Sequence, residues 1–255
     1  MPNIAMVTGA TSGIGEATAQ LFARHGYNLI VTGRRKDRLD RLAEALQREG
    51  AEVLPLCFDV RDQPQVAHHL EGLTEAWQGI DVLVNNAGLA VGAGTIDQGA
   101  LDDWERMIDT NVKGLLYVSR AVIPYFKRQG SGHIINIGSV AGKEVYKGGN
   151  VYCATKHGVD ALTKGMRIDL LPLGIRVSSV CPGAAETEFS VVRYHGDQAK
   201  ADTVYEGFTP LYAEDIAETI YFVASRPRHV TINDVLIMPT AQANTSHLLR
   251  KNSPS

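Results

Sequence analysis

The stretch Ile4-Ala5-Met6-Val7-Thr8-Gly9-Ala10-Thr11-Ser12-Gly13-Ile14-Gly15 constrains this chain more than any other. A short apolar run, Ile4 to Thr8, ends directly in a glycine cluster, and an amphipathic segment follows from Glu16 to about His25. That order reads as strand, tight turn, helix. The glycines permit the turn and let an anion approach the helix N-terminus, where free N–H groups and the macrodipole favour negative charge. Gly9, Thr11, Ser12, Gly13, Ile14 and Gly15 are therefore candidates for holding a phosphate. A glycine cluster alone is equally an ordinary turn. Its place straight after an N-terminal strand points to a dinucleotide-binding βαβ unit.

The rest of the chain repeats that alternation. Asn28 to Thr32, Glu52 to Phe58, Ile80 to Val84, His133 to Ile137, Ile175 to Cys181 and Asp234 to Met238 read as strands. Between them lie helical patterns at Lys36–Arg48, Gln63–Trp77, Leu101–Lys127, Val151–Leu171 and Ala213–Ser225. The fully apolar fourth run suits the buried centre of a parallel sheet. The expected architecture is α/β, one Rossmann-type doubly wound parallel sheet with helices on both faces, in a single domain over residues 1–245. Periodicity lapses from Ala184 to Pro210, a loop long enough to be functional. Residues 246–255 read as a flexible tail.

Charge and composition narrow the class. A net charge of -3 and only a short basic run, Arg34-Arg35-Lys36 before Asp37, speak against nucleic-acid binding. No apolar run reaches the ~20 residues of a membrane span, and the N-terminus lacks a signal-peptide pattern. Cys57, Cys153 and Cys181 are sparse and without metal-ligand spacing, which fits reduced thiols in a cytoplasmic protein holding no metal.

Two features of the alternation carry chemistry. Gly33 ends the second strand where NAD-binding units place an acid, and Arg34 and Arg35 follow. These arginines could simply begin a solvated helix, but cations are disfavoured at a helix N-terminus, which favours a phosphate partner. Gly33 would leave room for a 2′-phosphate, and Arg34 would offer it a planar fork. Further on, Tyr152 and Lys156 stand four residues apart, on one face of a helix. A nearby ammonium favours a phenolate, so the pair can exchange a proton with an alcohol or carbonyl oxygen. In isolation such a pair is more often packing than catalysis. Asn85-Asn86-Ala87-Gly88 closes the fourth strand at its carboxyl end, where open α/β sheets bind ligands.

With these pieces placed, the chain resembles a short-chain dehydrogenase/reductase over nearly its whole length. The matching motifs are Thr8-Gly9 with Gly13-Ile14-Gly15, Asn85 to Gly88, Asn111, Ser139, Tyr152 with Lys156, and Pro182-Gly183 with Thr187. Their joint order and spacing reverse the odds on Tyr152 and Lys156. Residues from Thr187 to Tyr194, with Arg226 to Val230, Ile237 to Pro239 and Gln242, resemble the NADP-dependent 3-hydroxy acid (serine and allo-threonine) dehydrogenase branch. Reductases of sulfoacetaldehyde and other short aldehydes are close alternatives. A non-catalytic NADP(H)-sensing protein is the remote one, and it has no need of Ser139, Tyr152 and Lys156 together.

The resemblance implies an NADP(H)-dependent oxidoreductase and a homotetramer. Tyr152 would be the general acid or base, Lys156 would lower its pKa, Ser139 would hold the substrate oxygen, and Asn111 would position a proton-relaying water. Asp59, Val60, Asn86, Ala87, Gly88, Pro182, Gly183 and Thr187 would join the glycine turn, Arg34, Arg35, Tyr152 and Lys156 around the cofactor. Two cations complete the expectation: Arg193 in the irregular stretch and Lys147 before the catalytic helix. A solvated surface role suits either alone, whereas together they suit an anionic small-molecule substrate.

Overall fold

The computed structural model describes residues 2–251. Its strands are β1 (Ile4–Val7), β2 (Asn28–Gly33), β3 (Val53–Cys57), β4 (Ile80–Asn85), β5 (Gly132–Ile137), β6 (Ile175–Pro182) and β7 (Asp234–Ile237). They form one sheet in the order β3-β2-β1-β4-β5-β6-β7, every pair parallel. The helices are α1 (Gly13–Arg24), α2 (Lys36–Arg48), α3 (Gln63–Glu71), α4 (Leu101–Ile108), α5 (Leu115–Gln129), α6 (Asn150–Leu170), α7 (Glu188–Arg193), α8 (Gln198–Thr203) and α9 (Ala213–Ala224).

Side-chain alternation along each strand divides the core in two. Ala5 and Val7 of β1 pack with Phe22, Leu42 and Ile220 of α1, α2 and α9. Ile4 and Met6 pack the other way, with Leu70, Val122 and Phe126 of α3 and α5. Both faces are covered, which is why these strands are apolar at nearly every position. The helices bury one stripe each. In α2, Leu39, Leu42, Ala43 and Leu46 recur at helical spacing and are buried, while charges cover the other face. Asp62 caps α3 by accepting from the Gln65 amide at 3.1 Å. Gly130 ends α5 in the left-handed conformation, φ 66°.

The strand order reverses between β1 and β4, and their carboxyl ends are stitched together there. The Thr8 hydroxyl accepts from the amides of Asn86 and Ala87, both at 3.0 Å. Asn86 Nδ2 donates in return to the carbonyls of Thr8 and Gly9 at 2.9 and 3.1 Å. A crevice opens above this seam, the place where open α/β sheets take ligands.

Three expectations change. The single helix expected over Leu101–Lys127 is two helices joined by a π-helical turn, Asp109–Gly114. The irregular stretch after Ala184 contains the short helices α7 and α8. The segment expected as a free tail is bonded to the body as far as Lys251. The Leu249 amide donates to the Ala241 carbonyl at 2.8 Å, and the Lys251 amide to the Gly207 carbonyl at 2.7 Å. Arg250 donates to the Val204 carbonyl at 2.9 Å, near the open end of α8. Polar composition suggested fraying, but unsatisfied carbonyls at a helix end are a ready partner for a guanidinium. Residues 252–255 of the expected tail lie outside the described residues.

Candidate active site

A cleft of about 630 Å³ runs across the carboxyl ends of β1, β4, β5 and β6. Of the expected cofactor residues, Gly9, Thr11, Ser12, Gly13, Ile14, Arg34, Arg35, Asp59, Val60, Asn86, Ala87, Gly88, Tyr152, Lys156, Pro182, Gly183 and Thr187 all line it. Gly15 does not. A Cβ there would fall 2.4 Å from both Asn86 Nδ2 and the Gly9 carbonyl, so Gly15 packs α1 against the β4 seam instead.

The glycine turn is a fitting cradle for a dinucleotide. Ser12 makes no side-chain cap, leaving the first-turn amides of α1 open. Gly9 has φ 64°, and a Cβ on it would sit 2.9 Å from Ala87 Cα. Only glycine combines that backbone angle with that approach.

Beside the cradle, Arg35 donates to Ser12 Oγ at 2.8 Å and to Thr11 Oγ1 at 3.1 Å. Arg34 is half exposed, 3.7 Å from Asp59. Asp59 is itself clasped by Arg61 at 2.7 Å, and that pairing holds its carboxyl below the usual range although burial pushes it up. The space expected beside Gly33 is not open. A Cβ on Gly33 would lie 2.5 Å from Thr11 Cγ2. The glycine is there because Thr11 fills the position an acid would take, and the cation fixed on the cradle is Arg35.

At the other end of the cleft, Ser139, Tyr152 and Lys156 come together, all buried. Ser139 follows β5 and caps a short turn by accepting from the Ala141 amide at 3.1 Å. Tyr152 and Lys156 sit one turn apart in the first half of α6. Lys156 Nζ donates to the Ile137 carbonyl at 2.8 Å. Burial pulls the ammonium down to about 8. Burial also pushes the Tyr152 phenol well up, and the Ser139 hydroxyl draws it back, with the Arg193 charge adding a smaller pull. The expected lowering of Tyr152 is therefore not expressed by the protein alone: desolvation outweighs charge on both groups.

Asn111 does not line the cleft. It sits buried below it, in the π-helical turn, a local widening often found at functional sites. Its Oδ1 accepts from the Leu89 amide at 2.8 Å, and its Nδ2 donates to the Leu89 carbonyl at 2.8 Å and to Thr155 Oγ1 at 3.0 Å. Asn111 thus clamps the loop after β4 to the helix that carries Tyr152.

The two expected substrate cations differ. Lys147 lines the cleft but is exposed at its rim. Arg193, at the end of α7, donates to the Tyr146 hydroxyl at 2.8 Å, and its Cζ lies 5.2 Å from the centre of that ring. Arg193 Nε is buried without a partner. Tyr146 and Phe189 escaped sequence reasoning, although each lies within two residues of a singled-out position. The Phe189 ring stands edge-on to Tyr152 with centroids 5.6 Å apart. A second cavity, of about 520 Å³, reaches Tyr152 and Arg193 from the side of Trp104 and His195.

The chain is similar to known proteins over most of its length. The family model described as short chain dehydrogenase matches residues 3–197. Sulfoacetaldehyde reductase 2 of Chromohalobacter salexigens is 48% identical over 95% of this chain and 96% of its own length. An NADP-dependent 3-hydroxy acid dehydrogenase of Salmonella typhi is 47% identical over 94% and 96%. The closed form of a serine dehydrogenase complexed with NADP+ superposes with a TM-score of 0.91 at 42% identity, covering 98% of this chain and all of that one. The chain belongs to the short-chain dehydrogenase family.

Proposed function

We propose that this protein is an NADP(H)-dependent oxidoreductase that interconverts a short-chain 3-hydroxy acid and the matching semialdehyde or ketone. The observation that carries the reading is the buried meeting of Ser139, Tyr152 and Lys156 in the same cleft as an arginine whose Nε has no partner. When bound, the nicotinamide would supply or accept the hydride. The open amides of α1 and the Arg34–Arg35 pair suit its phosphates. In reduction Tyr152 gives its phenolic proton to the carbonyl oxygen, and in oxidation it takes that proton back. Burial keeps that phenol in its protonated form in the protein alone. Ser139 holds the reacting oxygen beside the phenol, and Lys156 supplies the positive charge that supports a phenolate.

Arg193 would hold the substrate's carboxylate, with the Tyr146 hydroxyl fixing the guanidinium. A sulfonate carries the same charge and would use the same arginine, which keeps sulfoacetaldehyde as the second reading, in line with the sulfoacetaldehyde reductase 48% identical to this chain. Exposed Leu101, Ile108, Leu116, Ile168 and Leu171, on α4, α5 and at the end of α6, support self-association, for which a homotetramer is the proposed state. No helix among the described residues is long and apolar enough to cross a membrane.

The test is a profile of kcat/KM with NADP(H) for serine, allo-threonine, 3-hydroxypropionate, 3-hydroxyisobutyrate and isethionate, set beside neutral aldehydes. A charge-assisted hydrogen bond is worth about 1.5–3 kcal/mol, so Arg193→Ala should lower kcat/KM for anionic substrates roughly 10- to 150-fold. Neutral aldehydes of similar size should be almost unaffected. An equal fall for both classes would make the arginine structural.

A further inference from the structure

The cover over the cofactor end of the cleft is fastened by one carboxylate. Thr187 caps α7 by accepting from the Phe189 amide at 3.2 Å. It lies directly over the anion cradle: a Cβ on Gly13 would be 3.1 Å from Thr187 Cβ. The next residue, Glu188, reaches across the cleft to α2 and the loop before it. One of its oxygens accepts from Arg35 Nη1 at 2.8 Å and the other from Arg38. These arginines hold the Glu188 carboxyl below its ordinary range, though burial pushes it up.

Arg35 has little to spare. Its Nε and Nη2 are on Thr11 and Ser12, and its Nη1 is on Glu188. Any 2′-phosphate bound beside the cradle would therefore meet a guanidinium whose outward donor already holds a carboxylate, with that negative charge alongside. Glu188 and such a phosphate would be two anions drawn to one guanidinium, and their mutual repulsion sets them in competition for it.

We propose that Glu188 is a specificity-determining residue for the cofactor's phosphate end, a resident carboxylate that competes with the 2′-phosphate for Arg35. Phosphate binding exchanges one anion for another on that guanidinium, with no bond made or broken, and leaves Glu188 on Arg38 alone. This inference rests on the proposed NADP(H) reading and deepens it.

The test is calorimetric binding of two ligands differing only in the 2′-phosphate, 2′,5′-ADP and 5′-AMP, to the wild-type protein, Glu188→Gln and Glu188→Asp. An exposed ion pair is worth up to about 1 kcal/mol, so removing the competitor should tighten 2′,5′-ADP by up to roughly 5-fold. Binding of 5′-AMP should stay within about twofold of wild type on that scale. Glu188→Asp keeps the charge and should stay nearer wild type than Glu188→Gln. Weaker binding of both ligands to Glu188→Gln would show that the carboxylate only fastens the cover, and no change in either would show that it does not compete. Both results overturn the proposal. A wild-type protein with no preference for 2′,5′-ADP over 5′-AMP would instead remove the NADP(H) reading on which it stands.

Discussion

The floor of the cleft and its cover are held by different forces. On the floor, buried hydrogen bonds to the backbone do the fastening: Thr8 and Asn86 stitch β1 to β4, Asn111 clamps the loop after β4 to α6, and Lys156 rests on the Ile137 carbonyl. These contacts are buried and tied to the sheet. In the cover, long side chains do the fastening. Glu188 meets Arg35 and Arg38, Arg193 meets Tyr146, His195 meets Asp103 at 3.2 Å, and Arg250 meets the Val204 carbonyl. The exposed charge pairs among them, Glu188 with Arg35 and with Arg38, contribute little each and weaken with salt. Chemistry is thus placed on a rigid support, and recognition on a segment that can open at small cost.

The comparison breaks most sharply at Tyr152. On the floor, Tyr152→Phe should retain cofactor binding and lose roughly two to four orders of magnitude in kcat, the usual worth of general acid–base catalysis. Near-normal turnover, measured beside a cofactor titration, would remove Tyr152 from the mechanism. Next in size is Gly33. Because Thr11 Cγ2 fills its surroundings, Gly33→Asp should destabilise the protein by about 1–3 kcal/mol, read as a lowered Tm, before it alters cofactor choice. Adding Thr11→Ser, which removes that methyl and keeps the hydroxyl for Arg35, should restore most of the loss. Stability unchanged by Gly33→Asp alone would show that this part of the floor gives way as readily as the cover. The smallest effect is expected in the cover. Arg250→Met should raise KM for the anionic substrate about two- to fivefold and leave kcat unchanged, since it removes only exposed hydrogen bonds bracing the segment after α8. A loss in kcat instead would place the tail among the catalytic supports.

The floor was legible in the sequence and the cover was not. Strand runs, the glycine turn and the one-face placement of Tyr152 and Lys156 depend on local spacing, which one chain displays directly, whereas Ser139 and the roles of all three come from the family resemblance. One exception on the floor is Asn111, whose partners Leu89 and Thr155 are 22 and 44 residues away. Its helix also looked continuous, because an apolar stripe reads the same on both sides of a π-helical turn. In the cover, α7 and α8 have 6 residues each, too short to fold without tertiary contacts. The crowding at Gly33 is a contact between segments 22 residues apart, invisible to any count of residue types. The anchoring of the tail as far as Lys251 is non-local too: Arg250 finds carbonyls 44 to 47 residues upstream.

The π-helical turn at Asp109–Gly114 ties the register of one whole face of the molecule to the site. A single residue turns an α-helix by about 100°. Deleting one residue from this turn could regularise the helix and keep Val118, Val122 and Phe126 against the sheet, but it would carry Asn111 away from Leu89. The core stripe of α5 and the clamp under Tyr152 are satisfied together only with the extra residue present. Length at this point is therefore as strictly specified as residue identity.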